Sequence, residues 1–165
     1  MSLKMPHPGS CPALLFICVL VFSVSAVAAD DRFIDNGDGT VTDRKFGLMW
    51  ANSDNQFDIV WKQAQDWSLN VFPNTLARNY DNWRLPTLNE LQSLYVESAN
   101  YIGYLSDCGY QVKAIPQIRL SCTIVWSSET ALGSPLAYNF YIGNAFAIDL
   151  HDNKGCRVLP VRNLK

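Results

Sequence analysis

The chain has 165 residues, of which 48% are hydrophobic, and its 15 Asp and Glu residues outnumber 13 Lys and Arg, giving a formal net charge of −2. This mildly acidic balance excludes a generic nucleic-acid binder, whose affinity depends on clustered basic side chains. The length suits one domain of ordinary size.

The N-terminal segment has the composition of an export signal. Lys4 provides a basic start, residues 13–29 are apolar or small, and Ala26 to Ala28 fit the A-x-A pattern of a signal-peptidase site. The alternative is a membrane anchor, but these 17 residues are marginal for a bilayer core that needs about 20. We predict a signal peptide over residues 1–28, one domain over residues 29–165 without a membrane span, and a periplasmic or extracellular location.

The stretch DNGDGTVTD, residues 35–43, resembles a calcium loop. An EF-hand loop needs carboxylates at its first and twelfth positions. When Gly39 takes the glycine position, those places hold Ile34 and Lys45. Glycine and Asx residues instead favour a tight turn, so we predict a hairpin and no metal site. Strands are predicted on both sides of this turn and, after a second turn at residues 44–47, over Leu48–Trp50.

The next segment predicts a helix that Asp58 caps. Trp61, Ala64, Trp67 and Val71 recur at spacings of three and four residues, which places them on one helical face.

A second helix begins after the run Trp83-Arg84-Leu85-Pro86. Thr87 and Glu90 form a T-x-x-E capping box, which marks a helix start. The apolar face is predicted to consist of Leu88, Leu91, Leu94 and Tyr95.

The last third of the chain returns to strand patterns. The predicted strands cover Thr123–Trp126, Ala137–Ile142, Ala145–Leu150 and Arg157–Arg162, with Gly143–Asn144 as a two-residue turn. The order of strands, two helices and then antiparallel strands predicts an α+β fold. We expect the first and last strands to lie in the same sheet.

Three cysteines remain after residue 28. One disulfide and one free thiol are therefore expected in an exported chain. A Cys108–Cys122 bridge would close the loop between them, and Cys122–Cys156 is the alternative pairing. Their spacings match no zinc pattern.

The sequence contains no arrangement that indicates catalysis. His151 is the single histidine after residue 28, and it lies in a polar turn where a solvated side chain is common. There is no phosphate-binding glycine loop and no H-E-x-x-H motif. We predict no catalytic residue and no cofactor.

The segment from Ser98 to Ser121 shows no regular period and predicts a long, functional loop. Tyr101, Tyr104 and Tyr110 lie in it among polar residues. Such tyrosines could stack on sugar faces, or they could pack the loop onto the core. The five tryptophans, which lie within or beside predicted elements, are expected in the core.

Three stretches together resemble the Lcl-C family, the C-terminal domain of the Legionella collagen-like adhesin. They are RFIDNGDGTVTDRKFGLMW at 32–50, DNWRLPTLNELQSL at 81–94, and VWSSET followed by RVLPVR near the C-terminus. The resemblance implies a C-type-lectin-like fold related to that of the formylglycine-generating enzymes. It also implies an exported, often surface-located protein and a glycan ligand that is sulfated in the named member. Basic candidates for such a ligand are Lys113, Arg119 and Arg78.

The chain departs from the family pattern at two cysteine positions, which are Ser68 and Pro160 here. It also lacks the E-P-N, Q-P-D and W-N-D triplets of calcium-dependent lectins. The resemblance therefore implies a non-catalytic binding domain that recognises a glycan or an envelope protein through the loop and its five candidate residues. The alternatives are an envelope interaction protein without a sugar site and an enzyme of the formylglycine-generating type using Cys108, Cys122 or Cys156. The candidate binding residues are Tyr101, Tyr104, Tyr110, Lys113 and Arg119.

Overall fold

A computed structural model describes Met1 and residues 32–164, so the predicted signal peptide lies outside the described residues apart from Met1. Residues 32–164 hold ten strands and two short α-helices. The strands are β1 (Phe33–Asp35), β2 (Thr40–Asp43), β3 (Leu48–Ala51), β4 (Tyr104–Leu105), β5 (Gln111–Val112), β6 (Ile124–Ala131), β7 (Ser134–Asn139), β8 (Asn144–Ala147), β9 (Cys156–Arg157) and β10 (Val161–Asn163). The helices are α1 (Trp61–Asp66), which continues into a π-helical turn (Trp67–Val71) and a 3-10 turn (Phe72–Thr75), and α2 (Leu88–Gln92).

The first sheet joins the two ends of the domain. Its order is β1-β2-β3-β10, and every neighbouring pair is antiparallel. The predicted entry hairpin and the pairing of first and last strands in one sheet are therefore confirmed. The turn between β1 and β2 uses positive φ at Gly37 and Gly39, which glycine adopts without strain.

The second sheet has the order β8-β7-β6-β9, and β9 runs parallel to β6. The prediction of one closing strand over Arg157–Arg162 is wrong, because this segment divides between the two sheets. Val158 donates its N–H to Oδ1 of Asn55 at 2.9 Å, and the Pro160 carbonyl accepts from Ala51 at 2.9 Å. Proline has no N–H for a ladder, so the strand breaks where the chain crosses.

The predicted two-residue turn at Gly143–Asn144 is also wrong. β7 ends at Asn139 and β8 begins at Asn144, which leaves a four-residue loop. The Gly143 N–H donates to the Asn139 carbonyl at 2.8 Å and closes this wider turn. A Cβ on Gly143 would lie 2.6 Å from the Tyr95 ring, so the ring packs where a side chain would otherwise stand.

The first helix forms at the predicted place but differs from the prediction at both ends. Its N-cap residue is Val60 without a side-chain bond, and Asp58 instead pairs with Arg157 and accepts from the Gly155 N–H at 3.1 Å. At the other end, Val71 is 43% exposed rather than buried. The change from α to π winding at Trp67 moves later residues off the face that a 3.6-residue spacing predicts.

The second helix confirms its predicted start. The Thr87 hydroxyl accepts from the Glu90 N–H at 3.2 Å, while the Glu90 carboxylate accepts from the Thr87 N–H at 2.7 Å. Leu91 and Leu94 are fully buried, as the spacing predicts.

The core confirms the expectation for three of the five tryptophans. Trp50, Trp83 and Trp126 are among the largest fully buried side chains, whereas Trp61 and Trp67 are half-buried at its margin. Trp126 donates its Nε1–H to the Ile59 carbonyl at 2.7 Å, which ties the second sheet to the start of α1.

The long loop contains a small hairpin, β4–β5, that the sequence did not reveal. Its C-terminal end is fixed by Lys113, whose N–H donates to the Phe140 carbonyl at 2.9 Å and whose carbonyl accepts from Val96 at 2.8 Å. The hairpin therefore lies against the loop between β7 and β8.

Candidate functional site

The long loop is closed by a disulfide between Cys108 and Cys122, whose Cα atoms are 5.3 Å apart. This confirms the favoured pairing over Cys122–Cys156. The Cys108 N–H also donates to the Ser121 carbonyl at 3.2 Å. The disulfide therefore joins residues 105–110 to residues 119–122.

Tyr101 and Tyr104 hold this loop down with their hydroxyl groups. Tyr101 donates to the Ala114 carbonyl at 2.8 Å. Tyr104 donates to the Ile118 carbonyl at 3.0 Å and accepts from the Leu120 N–H at 2.7 Å. Burial raises the pKa of Tyr101 and raises that of Tyr104 to about 12. Both rings are half-buried, and their hydroxyls are occupied by backbone groups.

The guanidinium of Arg119 lies over the Tyr104 ring, with Cζ 3.9 Å from the ring centroid. This cation–π contact orients a cation whose side chain is exposed. Among residues 32–164, no carboxylate lies within ion-pair distance of Arg119. The tyrosine therefore positions the guanidinium and leaves its N–H donors available.

A polar cavity of about 130 Å³ opens beside Arg119. Its lining includes Ser53, Gln56, Ser106 and Asp107. Hydroxyl, amide, carboxylate and guanidinium groups thus converge on a space large enough for part of a polar ligand.

The base of the cavity is a buried network around Asp54. Its carboxylate accepts from the Ser121 N–H at 2.7 Å, the Ser121 hydroxyl at 2.9 Å and the Gln56 N–H at 2.9 Å. Arg157 then donates its Nε–H to the Ser121 hydroxyl oxygen at 2.7 Å. Burial raises the pKa of Asp54 in spite of these hydrogen bonds. The network fixes the floor of the cavity on strand β9 and on the segment after β3.

Tyr110 differs from the other two loop tyrosines because it is 57% exposed. Its ring centroid lies 6.0 Å from that of Tyr141, which is 49% exposed. The Ser106 N–H and hydroxyl both bond the Tyr110 carbonyl, at 2.9 and 2.7 Å. One turn, residues 106–110, therefore connects this aromatic pair with the polar cavity.

The remaining basic candidates lie outside the cavity lining. The Lys113 Nζ is 5.9 Å from the Tyr95 ring centroid, near the second sheet. Arg78 is 74% exposed and lies 3.9 Å from the Asp38 carboxylate. Arg119, Tyr110 and the cavity are thus brought together, while Lys113 and Arg78 are placed elsewhere.

The acidic turn uses its side chains within the fold. Asp38 accepts from the Thr40 hydroxyl at 2.6 Å and the Tyr80 hydroxyl at 2.7 Å. Partial burial opposes its ionisation, but these hydrogen bonds outweigh that effect and lower the Asp38 pKa. In residues 32–164, no group of three or more His, Cys, Asp or Glu side chains is placed to hold a metal ion.

Cys156 is a free cysteine and is 1% exposed. Burial raises its pKa to about 12, so the thiol is protonated at neutral pH and is a poor nucleophile. Ser68 and Pro160, which the resemblance predicts to stand at two cysteine positions of the family, are both buried.

A larger depression of about 500 Å³ lies at the other end of β3, lined by Phe46, Leu48 and Asn163 among others. Its one carboxylate, that of Glu90, is bonded to Arg84 at 2.7 and 2.8 Å. The cavity beside Arg119 offers more unengaged polar groups, so it is the better candidate site.

Sequence reasoning did not identify Asp54, Ser121, Arg157 or Tyr141 as parts of this region. Asp54 and Arg157 are about 103 residues apart in the sequence, and no local pattern links them. They come together in the fold because both bond Ser121, which lies just before β6, the strand that pairs with β9. Tyr141 lies in a segment predicted as strand, where an aromatic residue is ordinary.

Comparison with protein families gives one match, in which residues 39–162 correspond to the Lcl C-terminal domain. The chain belongs to this family. No curated protein and no solved structure matches the chain. The family match begins in the β1–β2 turn and ends in β10, so β1 lies outside it, and it includes the cavity, the disulfide and the aromatic pair.

Membership of an adhesin-associated family favours a non-enzymatic role in surface adhesion. The internal disulfide is in keeping with an extracellular or envelope location. None of the described helices is long and apolar enough to span a bilayer.

Proposed function

We propose that the protein is an exported, non-catalytic domain that binds a glycan at the cell envelope or cell surface. The observation that carries this proposal is the Arg119 guanidinium, which Tyr104 holds at 3.9 Å beside the polar cavity. An oriented guanidinium forms directional hydrogen bonds with hydroxyl or acidic groups at a lower entropic cost than a mobile one.

The exposed pair Tyr110 and Tyr141 supplies the second part of the proposed surface. Aromatic rings present an apolar face with a polar edge, which suits contact with the C–H face of a sugar. Because the 106–110 turn joins the pair to the cavity, one oligosaccharide could stack on a ring while its polar groups reach Arg119 and Ser106.

The local charge limits the class of glycan. Asp107 lines the cavity together with Arg119, and Asp54 forms its floor. One exposed cation beside two acids suits a hydroxyl-rich sugar with few acidic groups better than a densely sulfated polymer, which needs a cluster of basic side chains.

The proposal also includes export through a signal peptide and a lectin-like fold. The apolar N-terminal segment supports a cleaved signal peptide and a single domain over residues 29–165, and the family supports a C-type-lectin-like arrangement of the two sheets. An exported protein of this kind would act in the periplasm or outside the cell.

A protein partner at the same surface is the second candidate. It is favoured by exposed apolar side chains on the same chain segments as the tyrosine pair: Ile102 is 74%, Leu105 64% and Ile142 57% exposed. Contiguous exposed apolar side chains often mark protein interfaces.

A glycan array probed with the exported product of the full-length chain tests the two candidates. Binding that persists in chelator, falls about tenfold in Arg119→Ala and is unchanged in Arg44→Ala would support the sugar site. Arg44 is a matched control because it is exposed in the β2–β3 turn, at the end of β3 away from the cavity. Tyr110→Ala should weaken binding more than Tyr110→Phe, which keeps the ring. Absence of binding to every glycan, together with recovery of a protein by pull-down, would contradict the sugar site.

A further inference from the structure

The strand β8 forms one edge of the second sheet. Its sequence, Asn-Ala-Phe-Ala, contains no charged residue and no proline, and all its residues except half-buried Phe146 are exposed. Natural proteins usually protect an edge strand with charges, proline or a covering segment, because its unpaired backbone groups can bind another strand. β8 has neither a charged residue nor a proline to protect its edge.

The hydrogen-bond pattern shows which backbone groups point outward. Ile148 donates its N–H to the Pro135 carbonyl at 3.0 Å, which makes this a directly bonded pair of the β7–β8 ladder. Bonded pairs alternate along an antiparallel ladder, so Phe146 and Asn144 face β7 in the same way. The N–H and C=O groups of Ala145 and Ala147 therefore point away from β7.

Within residues 32–164, no backbone or side-chain group bonds the outward groups of Ala145 and Ala147. Both residues are exposed, and no described strand pairs with this side of β8. The edge thus presents two donors and two acceptors in a regular strand geometry.

We propose that β8 pairs with β8 of a second copy of this chain, in an antiparallel arrangement about a two-fold axis. In this register, Ala145 of each copy faces Ala147 of the other, and every outward N–H and C=O group finds a partner. The two Phe146 residues then form the central pair, with Cα atoms about 4.5 Å apart and side chains on the same face. The four-stranded sheets of the two copies join into one continuous sheet.

The absence of charge on β8 favours a second copy of this chain as the partner that pairs with its free edge. A two-fold interface brings each residue of the strand opposite a residue of the same strand, so a charged edge would repel itself. β8 is neutral, and in the proposed register the next acidic residue, Asp149, faces Gly143 rather than another acid. Adjacent aromatic rings at the centre add a favourable contact of a kind that stabilises cross-strand pairs.

Sedimentation over a concentration series, on the exported product of the full-length chain, tests this dimer. The wild-type protein is expected to show a reversible monomer–dimer equilibrium. Ala145→Pro removes an outward N–H without touching the β7 ladder, and it should raise the dimer dissociation constant about tenfold or more. Ala145→Val keeps that N–H and should dimerise like the wild type.

Charge variants test the register without depending on the proline variant. Ala145→Lys/Ala147→Lys should be monomeric, whereas Ala145→Lys/Ala147→Glu should dimerise, because each lysine then faces a glutamate of the other copy. A wild-type protein that stays monomeric at every concentration would overturn the proposal. So would an Ala145→Pro variant that dimerises as well as the wild type, or a Lys/Glu variant that remains monomeric.

Discussion

Replacement of Glu90 by alanine should destabilise the domain by about 2 kcal/mol. The Glu90 carboxylate accepts two hydrogen bonds from the Arg84 guanidinium, at 2.7 and 2.8 Å, and one from the Thr87 N–H at 2.7 Å. Because the Arg84 side chain is 38% exposed, solvent screening limits the ion pair to about 1 kcal/mol. Loss of the capping bond adds about 1 kcal/mol. Arg84 also bonds Oδ1 of Asn163 at 3.1 Å, so the change loosens the contact between α2 and β10.

The measurement is urea unfolding of Glu90→Ala beside the wild type, with Glu97→Ala as a control at an exposed glutamate. Partial burial opposes ionisation of Glu90, but hydrogen bonds from Arg84 and Thr87 outweigh it and lower its pKa below 4.5. A lowered folded-state pKa contributes stability above pH 4.5 that is lost as the pH falls through the folded value. The difference between the two proteins should therefore be constant near neutral pH and narrow in acid. A difference that is absent at neutral pH, or unchanged in acid, would refute this account.

Three further predictions concern the thiol, the hairpin and the N-terminus. Without denaturant, the Cys156 thiol should resist a thiol reagent, and one thiol per exported chain should react after unfolding. A thiol that reacts rapidly in the native protein would contradict its burial. Gly103→Ala should destabilise more than Gly109→Ala by equilibrium unfolding, because both have positive φ but a Cβ on Gly103 would lie 2.0 Å from the Val112 carbonyl oxygen and one on Gly109 would meet nothing within 4 Å. N-terminal sequencing of the exported protein should begin at Ala29, and retention of residues 1–28 would favour the membrane anchor.

The parts of the fold that were predictable depend on signals between neighbouring residues. The Thr87–Glu90 capping box and the turn at Asn36–Gly39 satisfy their hydrogen bonds within a few residues, so the local sequence determines them. The predictions were wrong where groups that are distant in the sequence compete for the same hydrogen-bond or ion-pair partners. Asp58 could cap a helix, but it pairs with Arg157, which is 99 residues away. The pattern of residues 157–162 predicts one strand. In the structure, Arg157 pairs in the second sheet, whereas Val161 and Arg162 pair in the first.

The candidate site was predictable only as a region of the chain. The pattern of Tyr101, Tyr104 and Tyr110 identified the loop. It could not predict which of the three rings is exposed, because the exposure of a ring depends on distant partners; Tyr104, for example, bonds the backbone of Ile118 and Leu120. Tyr101 and Tyr104 stabilise the loop through hydrogen bonds of their hydroxyl groups, whereas Tyr110 is exposed at the surface. Tyr141 reaches it from the β7–β8 loop, 31 residues further along the chain and invisible to any local pattern.

The residues that stabilise the fold and the residues proposed to bind the ligand are different ones. Arg84, Glu90 and Thr87 of the family motif bond to one another and to the last strand, so their substitution acts on stability. Arg119 is different, because its backbone N–H bonds the Asn52 carbonyl at 2.8 Å while its exposed side chain lies over the Tyr104 ring. Its backbone can therefore keep the loop in place whatever its side chain binds. This separation predicts that substitutions of exposed side chains in residues 105–119 alter ligand preference at little cost to folding, whereas substitutions in the motif do the reverse.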